Sequence, residues 1–264
     1  MIVLRPVGGL CNRILAIASA INLSKDAGRP LKIIWERDPM LNCKFEDLFL
    51  PLQLDVELIE TKTKQRLFER VLRKATHLQF SKVIYMSTLA TNNISVTDIE
   101  RYNKVLIYGA NRFYTLGNLN TTFVVKKEIQ NLIPLQVQHK KEKVIGLHIR
   151  RTDQKRSILK SPTQLFVDRI NLHLNLTPDI VFFLATDSPE EEALLIRTFP
   201  TNLIYYNKNS LDRNSKEGIV DALVDLICLS KCSKIYGSYY SSFSFTAAEF
   251  GNVKLDVLEK TKAT

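Results

Sequence analysis

The chain has 264 residues, is 45% hydrophobic and 24% charged, and carries a formal net charge of +10. Those proportions exclude wholesale disorder, and nine Gly with nine Pro exclude a collagen-like or linker-like chain. The length predicts one large domain or two small ones, at about 100–200 residues each. The charge is uneven: residues 1–140 hold 20 Lys+Arg against 12 Asp+Glu, and residues 141–264 hold 17 against 15.

Residues 2–4 read as a strand. Residues 12–27 carry Ile14, Leu15, Ile17, Ala18, Ile21 and Leu23 at helical spacing, and Gly28-Arg29-Pro30 stops that helix. Strands follow at 31–35, 56–59, 82–85 and 105–108, then at 143–149, 180–185 and 234–236. Helical patterns cover 163–174, 189–197, 218–229 and 244–250. Strands alternating with helices predict an α/β fold with parallel sheets covered on both faces. The polar stretch 134–142 divides the chain into two halves, 1–138 and 139–264, with a ligand cleft expected near the C-terminal ends of the strands.

No apolar run approaches the roughly 18 residues of a membrane span. Residues 1–5 read as a strand rather than as the start of a secretory signal. Cys11, Cys43, Cys228 and Cys232 form no disulfide-framework pattern, and four scattered His residues give no zinc constellation. The expectation is a cytoplasmic protein with reduced thiols and no metal.

Four polar strand ends are candidates for chemistry. The first is Pro6-Val-Gly8-Gly9-Leu-Cys11-Asn12-Arg13, where two glycines between strand and helix let backbone approach a ligand. It matches neither G-x-G-x-x-G nor a Walker loop, and a tight turn with Asn12 as N-cap explains it equally well. The second is His148-Ile-Arg150-Arg151-Thr-Asp153, which ends an apolar strand. Arginines there need an anion or a carboxylate, and a guanidinium suits phosphate oxygens. Arg150 is the better ligand candidate, and Arg151 reads as a structural ion pair. The third is Ala185-Thr186-Asp187-Ser188, where one residue caps the next helix. An acidic group at that position can accept from the adjacent N1–H and N2–H₂ donors of guanine. The fourth is Asp221-Ala-Leu-Val-Asp225 followed by Ser238-Tyr-Tyr-Ser241-Ser242-Phe243. Two acids four apart on one helix face call for a cation or hydrogen-bond donor nearby. The serine-rich helix start suits a phosphate, although serine capping alone also accounts for it.

Taken in order, these motifs resemble the GDP-fucose-dependent fucosyltransferase superfamily, which includes α1,6-, nodulation and protein O-fucosyltransferases. The resemblance rests on His148-Ile-Arg150-Arg151-Thr-Asp153, Ala185-Thr186-Asp187, Asp225, and Ser241-Ser242-Phe243, with Gly9 to Arg13 similar to the family's glycine-rich loop. It covers most of 143–250 but only about twenty residues of the first half. It implies a GT-B-like fold of two facing Rossmann-like domains, with the acceptor on the first and the nucleotide-sugar donor on the second. Arg150 would bind the donor diphosphate and stabilise the departing GDP, and Asp153 would assist catalysis. His148 and Asp187 would contact the nucleoside. Asp225, Ser241, Ser242 and Phe243 would line the donor site, and Gly9 and Asn12 would close it. No Asp-x-Asp occurs, which favours metal-independent, inverting transfer of L-fucose to a glycan hydroxyl, without a cofactor.

One departure touches the base. Where some members carry a Glu ten residues after the motif histidine, this chain has Ile158. Asp153, Glu36 and Asp38 are the remaining candidates, and Trp35 is either a platform for an acceptor sugar or a core residue.

The basic stretch 61–77, with Leu67, Phe68, Val71 and Leu72, reads as a solvated helix with an apolar side or as a helix resting on anionic lipid. The expected partners are therefore a nucleotide-sugar donor and a glycan or lipid-linked glycan acceptor. Peripheral contact with the inner face of an anionic membrane is a further expectation, and nucleic acid has the least support. The competing readings are the same fold with another nucleotide sugar, or a non-catalytic module binding nucleotides or anionic polymers.

Overall fold

The computed structural model describes residues 1–52, 55–62, 79–86, 93–139, 144–152 and 154–260. The chain forms two compact units, 1–126 with 212–219, and 127–211 with 220–264. The division falls ahead of the polar 134–142 stretch. Short antiparallel bonds explain this: Lys126 N donates to the Leu48 carbonyl and Leu50 N to that of Val124, so the chain stays in the first unit through residue 126.

The first unit carries strands β1 (Ile2–Pro6), β2 (Leu31–Arg37), β3 (Val56–Lys62), β4 (Lys82–Met86) and β5 (Val105–Gly109). They form a parallel sheet in the order β3-β2-β1-β5-β4. Helix α1 (Leu10–Asp26) connects β1 to β2. Its buried face of Ile14, Ala16, Ile17, Ala18, Ala20 and Ile21 meets the apolar strand residues. Gly109 lets the helix come close, since a Cβ there would stand 3.1 Å from that of Ala16. Asn12 does not cap α1: Gly9 is the N-cap residue, and Asn12 lies within the first turn.

The second unit carries β6 (Val144–Ile149), β7 (Val181–Thr186), β8 (Leu203–Tyr205), β9 (Lys234–Ser238) and β10 (Lys254–Leu258), all parallel, in the order β10-β9-β6-β7-β8. Helices α2 (Thr163–Leu176), α3 (Pro189–Thr198), α4 (Lys216–Ser230) and α5 (Ser242–Gly251) link successive strands. One cluster packs Leu147, Ile149, Phe166, Ile170, Phe182, Leu184 and Leu195 together. β6 is buried along its whole length, as expected for a central parallel strand. The chain leaves β6 for β7 on one side and later returns as β9 on the other. Such a reversal opens a crevice at the C-terminal ends of the strands, where open α/β sheets bind ligands.

The parallel α/β architecture predicted from the sequence is the one observed. Several strands run one or two residues beyond their apolar cores, because polar tip residues keep the backbone ladder going. The edge strands β8 and β10 escaped the sequence reading, because β8 has only three residues and β10 mixes its apolar residues with Lys254 and Asp256. All four cysteines are buried thiols. No helix among the described residues is long and apolar enough to cross a membrane. The basic stretch 61–77 falls, from residue 63 on, outside the described residues.

Candidate functional site

The C-terminal ends of β6, β7 and β9 converge on one cluster. Arg150 N donates to Ser238 Oγ (3.0 Å), and that hydroxyl donates to the His148 carbonyl (3.2 Å), tying the tip of β6 to that of β9. Arg150 Nη1 lies 2.8 Å from Asp187 Oδ2, just beyond β7. Asp187 also accepts from Arg151 N (2.7 Å), Thr152 Oγ1 (2.6 Å) and Thr152 N (3.4 Å). One carboxylate thus anchors three successive residues. Burial pushes its pKa up, but the Arg150 guanidinium and these donors outweigh that and hold it below the usual carboxylate range. Arg150 keeps 19% of its side chain exposed, so an aqueous ligand can reach the cation.

Arg151 has a different role. Its guanidinium sits 3.2 Å from Glu191 and donates to Thr163 Oγ1 (3.1 Å) and to the Arg150 carbonyl (2.9 Å), as a structural pair does. Asp153 lies outside the described residues. Ser188, not Asp187, caps α3 by accepting from Glu191 N.

His148 is buried and stacks on Phe243, with ring centroids 4.8 Å apart and planes 20° apart. Its Nδ1 is 3.5 Å from Ser241 Oγ. Desolvation, then the Arg150 charge, push its pKa far below the usual histidine value, so the ring is neutral. Ser241 caps α5 by accepting from Phe243 N. The positive end of that ten-residue helix, with Ser242 as its first residue, therefore lies beside His148.

A second buried cluster joins α4, α3 and the segment after β8. Asp221 accepts from Tyr206 OH (2.9 Å), Asn209 N and Ser210 N (2.9 Å). Asp225 is 4% exposed, and its Oδ2 is 3.5 Å from Lys208 Nζ. Lys208 also donates to Glu192 Oε2 at 2.7 Å. The cation and donors required by two acids on one helix face are therefore Lys208 and the 206–210 segment. Asp225 Oδ1 is buried with no hydrogen-bond partner. Burial raises the Asp225 pKa to about 7 despite Lys208, with Glu192 adding to the rise.

In the first unit, Gly8 has φ +87°, a left-handed conformation, and a Cβ there would stand 2.9 Å from Asn12 Nδ2. The Asn12 carbonyl accepts from Asn111 N (3.2 Å). Arg13 is wholly buried: it donates to the carbonyls of Gly8 and Glu36 and to Asp38 Oδ2 (2.7 Å). Asp38 Oδ1 in turn accepts from Met40 N and Leu41 N. Trp35 is not a sugar platform. It has 0% exposure, bonds the Cys43 carbonyl through Nε1 (2.9 Å) and meets the Phe45 ring edge-on, so its faces are closed to ligand. Glu36 stands 3.8 Å from Arg5.

Sequence reasoning gave no role to Arg13, Lys208 or Ser238. The first bonds mostly carbonyls, which leave no sequence signal. The other two act only through residues far away along the chain. Among the described residues, no group of three or more His, Cys, Asp or Glu is placed to hold a metal ion.

No protein-family model and no curated protein matches the chain. Solved structures do. The NodZ α-1,6-fucosyltransferase co-crystallised with GDP superposes with a TM-score of 0.60 at 17% identity, over 93% of this chain and 91% of that one. A mutant of Arabidopsis thaliana FUT1 in complex with GDP gives 0.62 at 15% identity, over 99% and 70%. The apo form of POFUT1 gives 0.57 at 10% identity, over 97% of each chain. The chain has the fold of these proteins. The two parallel five-stranded sheets are thus GT-B-like, as the sequence motifs implied.

Proposed function

We propose that the protein is a glycosyltransferase that moves L-fucose from GDP-fucose to a glycan hydroxyl. The observation that carries this reading is Arg150, held at the tip of the central strand by Asp187 and still open to solvent. It is supported by a fold shared with structures crystallised with GDP.

The chemistry follows from the side chains. Negative charge develops on the departing diphosphate, so a fixed cation aimed there lowers the barrier. Arg150 supplies that cation, and Asp187 keeps it from moving. The N-terminus of α5, with Ser241 and Ser242, adds N–H dipoles for a phosphate oxygen. His148 is neutral, so it orients and packs with Phe243 and does not transfer protons near neutrality. Asp187 has its oxygens engaged by Arg150 and the 151–152 backbone, which moves base recognition to Asp225. Its Oδ1 lacks a partner, and the N–H edge of guanine supplies donors. The acceptor is a glycan, free or lipid-linked, and the excess positive charge of residues 1–140 favours an anionic one.

A thermal-shift screen of nucleotide sugars tests the reading. GDP-fucose and GDP are expected to raise the melting temperature and UDP-sugars to leave it unchanged. A UDP preference overturns the assignment.

A further inference from the structure

Asp225 is an acid that the fold leaves half satisfied. One oxygen faces Lys208 at 3.5 Å and the other has no hydrogen-bond partner, in a side chain almost wholly removed from water. An unfilled buried acceptor is costly unless something arrives to fill it. Its surroundings are built rather than incidental. Asp221, one turn earlier on α4, accepts from Tyr206 OH and from the backbone N–H groups of Asn209 and Ser210. Those bonds fix the segment that carries Lys208. Lys208 is 8% exposed and is held on a second side by Glu192 Oε2 at 2.7 Å. The groups facing Asp225 are therefore Lys208 and Tyr206 from the segment after β8, Glu192 from α3, and Asp221 and Cys228 from its own helix. Lys208 is the one cation among them.

We propose that Lys208 is a positioning residue for nucleotide recognition: it holds Asp225 as an oriented carboxylate whose second oxygen accepts from the N–H edge of the purine. The proposal rests on the GDP-fucose reading above. A protonated Asp225 would offer a hydroxyl where the purine also offers N–H, and two donors would then meet. Lys208 prevents this by favouring the charged form, while Glu192 limits how far that preference goes by adding a second negative charge.

The two neighbours give the proposal its test, because they act on Asp225 in opposite senses. GDP affinity is measured by calorimetry between pH 6 and pH 9 in the wild type, Lys208→Met, Lys208→Arg and Glu192→Gln. Wild-type affinity is expected to be full above a midpoint near the Asp225 value of about 7 and to weaken as the pH falls through it. Lys208→Met is expected to move that midpoint up by about one unit or more and to weaken GDP binding about tenfold at neutral pH. Lys208→Arg keeps the charge and restores most of the affinity. Glu192→Gln removes a like charge from a partly exposed position and moves the midpoint down. The phosphates of GDP titrate alike in every variant, so the differences report on the protein. If Lys208→Met folds poorly, the downward shift in Glu192→Gln and the retained affinity of Lys208→Arg still decide. Tight GDP binding with the same midpoint in all variants overturns the role of Lys208 alone. A wild type that binds no GDP overturns this proposal together with the reading it rests on.

Discussion

In each unit an arginine from the segment that follows the central strand meets an aspartate from just beyond a neighbouring strand. In the first unit the pair is Arg13 with Asp38, and in the second it is Arg150 with Asp187, at 2.7 and 2.8 Å. The local chemistry is the same and the consequences differ. Arg13 has 0% exposure, and two backbone carbonyls complete its bonding. Arg150 is reachable by water, and its own backbone N–H is fixed to Ser238. A closed pair holds a turn together. An open pair, equally well anchored, is the candidate site. What separates the two pairs is thus access from solvent, not the motif.

The sharpest test of that contrast is Arg13→Ala. It leaves two half-buried carbonyls without their donor and opens a cavity against Trp35, so the loss of stability is expected to be about 3 kcal/mol or more. Urea denaturation reads it directly, and an unchanged midpoint would remove Arg13 from the framework of the first unit.

Next in size is the acid sensitivity of the second unit. The folded-state pKa of His148 lies below its unfolded value, so its stabilisation is complete above about pH 6.5 and is lost as pH falls toward the folded value. The loss is about 1.4 kcal/mol per pH unit over that window. His148→Gln should flatten the curve of melting temperature against pH between neutrality and pH 5. Arg13 does not titrate there, so Arg13→Ala should shift the curve without changing its shape.

Arg150→Ala is the complement of Arg13→Ala. GDP affinity is expected to fall about 10- to 100-fold, the worth of a charge-assisted bond, while the fold survives. Unchanged GDP affinity would end the assignment of Arg150 to the donor site. Thr152→Val is a milder version. It removes one of the donors that fix Asp187, leaving Arg150 and Arg151 N in place, and should weaken GDP binding about fivefold.

The contrast between the two arginines also explains what the sequence could and could not tell. Buried parallel strands are apolar runs, so β1, β2, β6 and β7 were legible, and so was the polar break at each tip. The candidacy of Arg150 was readable because His148, Arg151 and Asp187 stand in a recognisable order. The closure of Arg13 was not, because carbonyl oxygens belong to every residue. The Asp221 and Asp225 pair announced a missing cation, but not that residue 208 would supply it. The short strand β8 that positions it has only three residues and an exposed end. The N-cap of α1 was misplaced for a related reason: Gly9 fills the position through its backbone alone, while the Asn12 side chain lies beside the left-handed Gly8.

The smallest expected effect sharpens the comparison from the first unit's side. Glu36 is partly exposed and its carboxylate stands 3.8 Å from Arg5, beyond good hydrogen-bond distance. Its backbone carbonyl, not its side chain, receives Arg13. Glu36→Gln keeps that carbonyl and removes the charge of a partly exposed carboxylate, so stability should change by less than about 1 kcal/mol. GDP affinity should be unchanged, since the candidate donor-site groups lie at the strand tips of the second unit. Urea denaturation and calorimetry on the same preparation check both statements. A loss of GDP affinity in this variant would mean that the first unit's strand tips carry donor-binding chemistry of their own, and the division between a closed framework and an open site would fail.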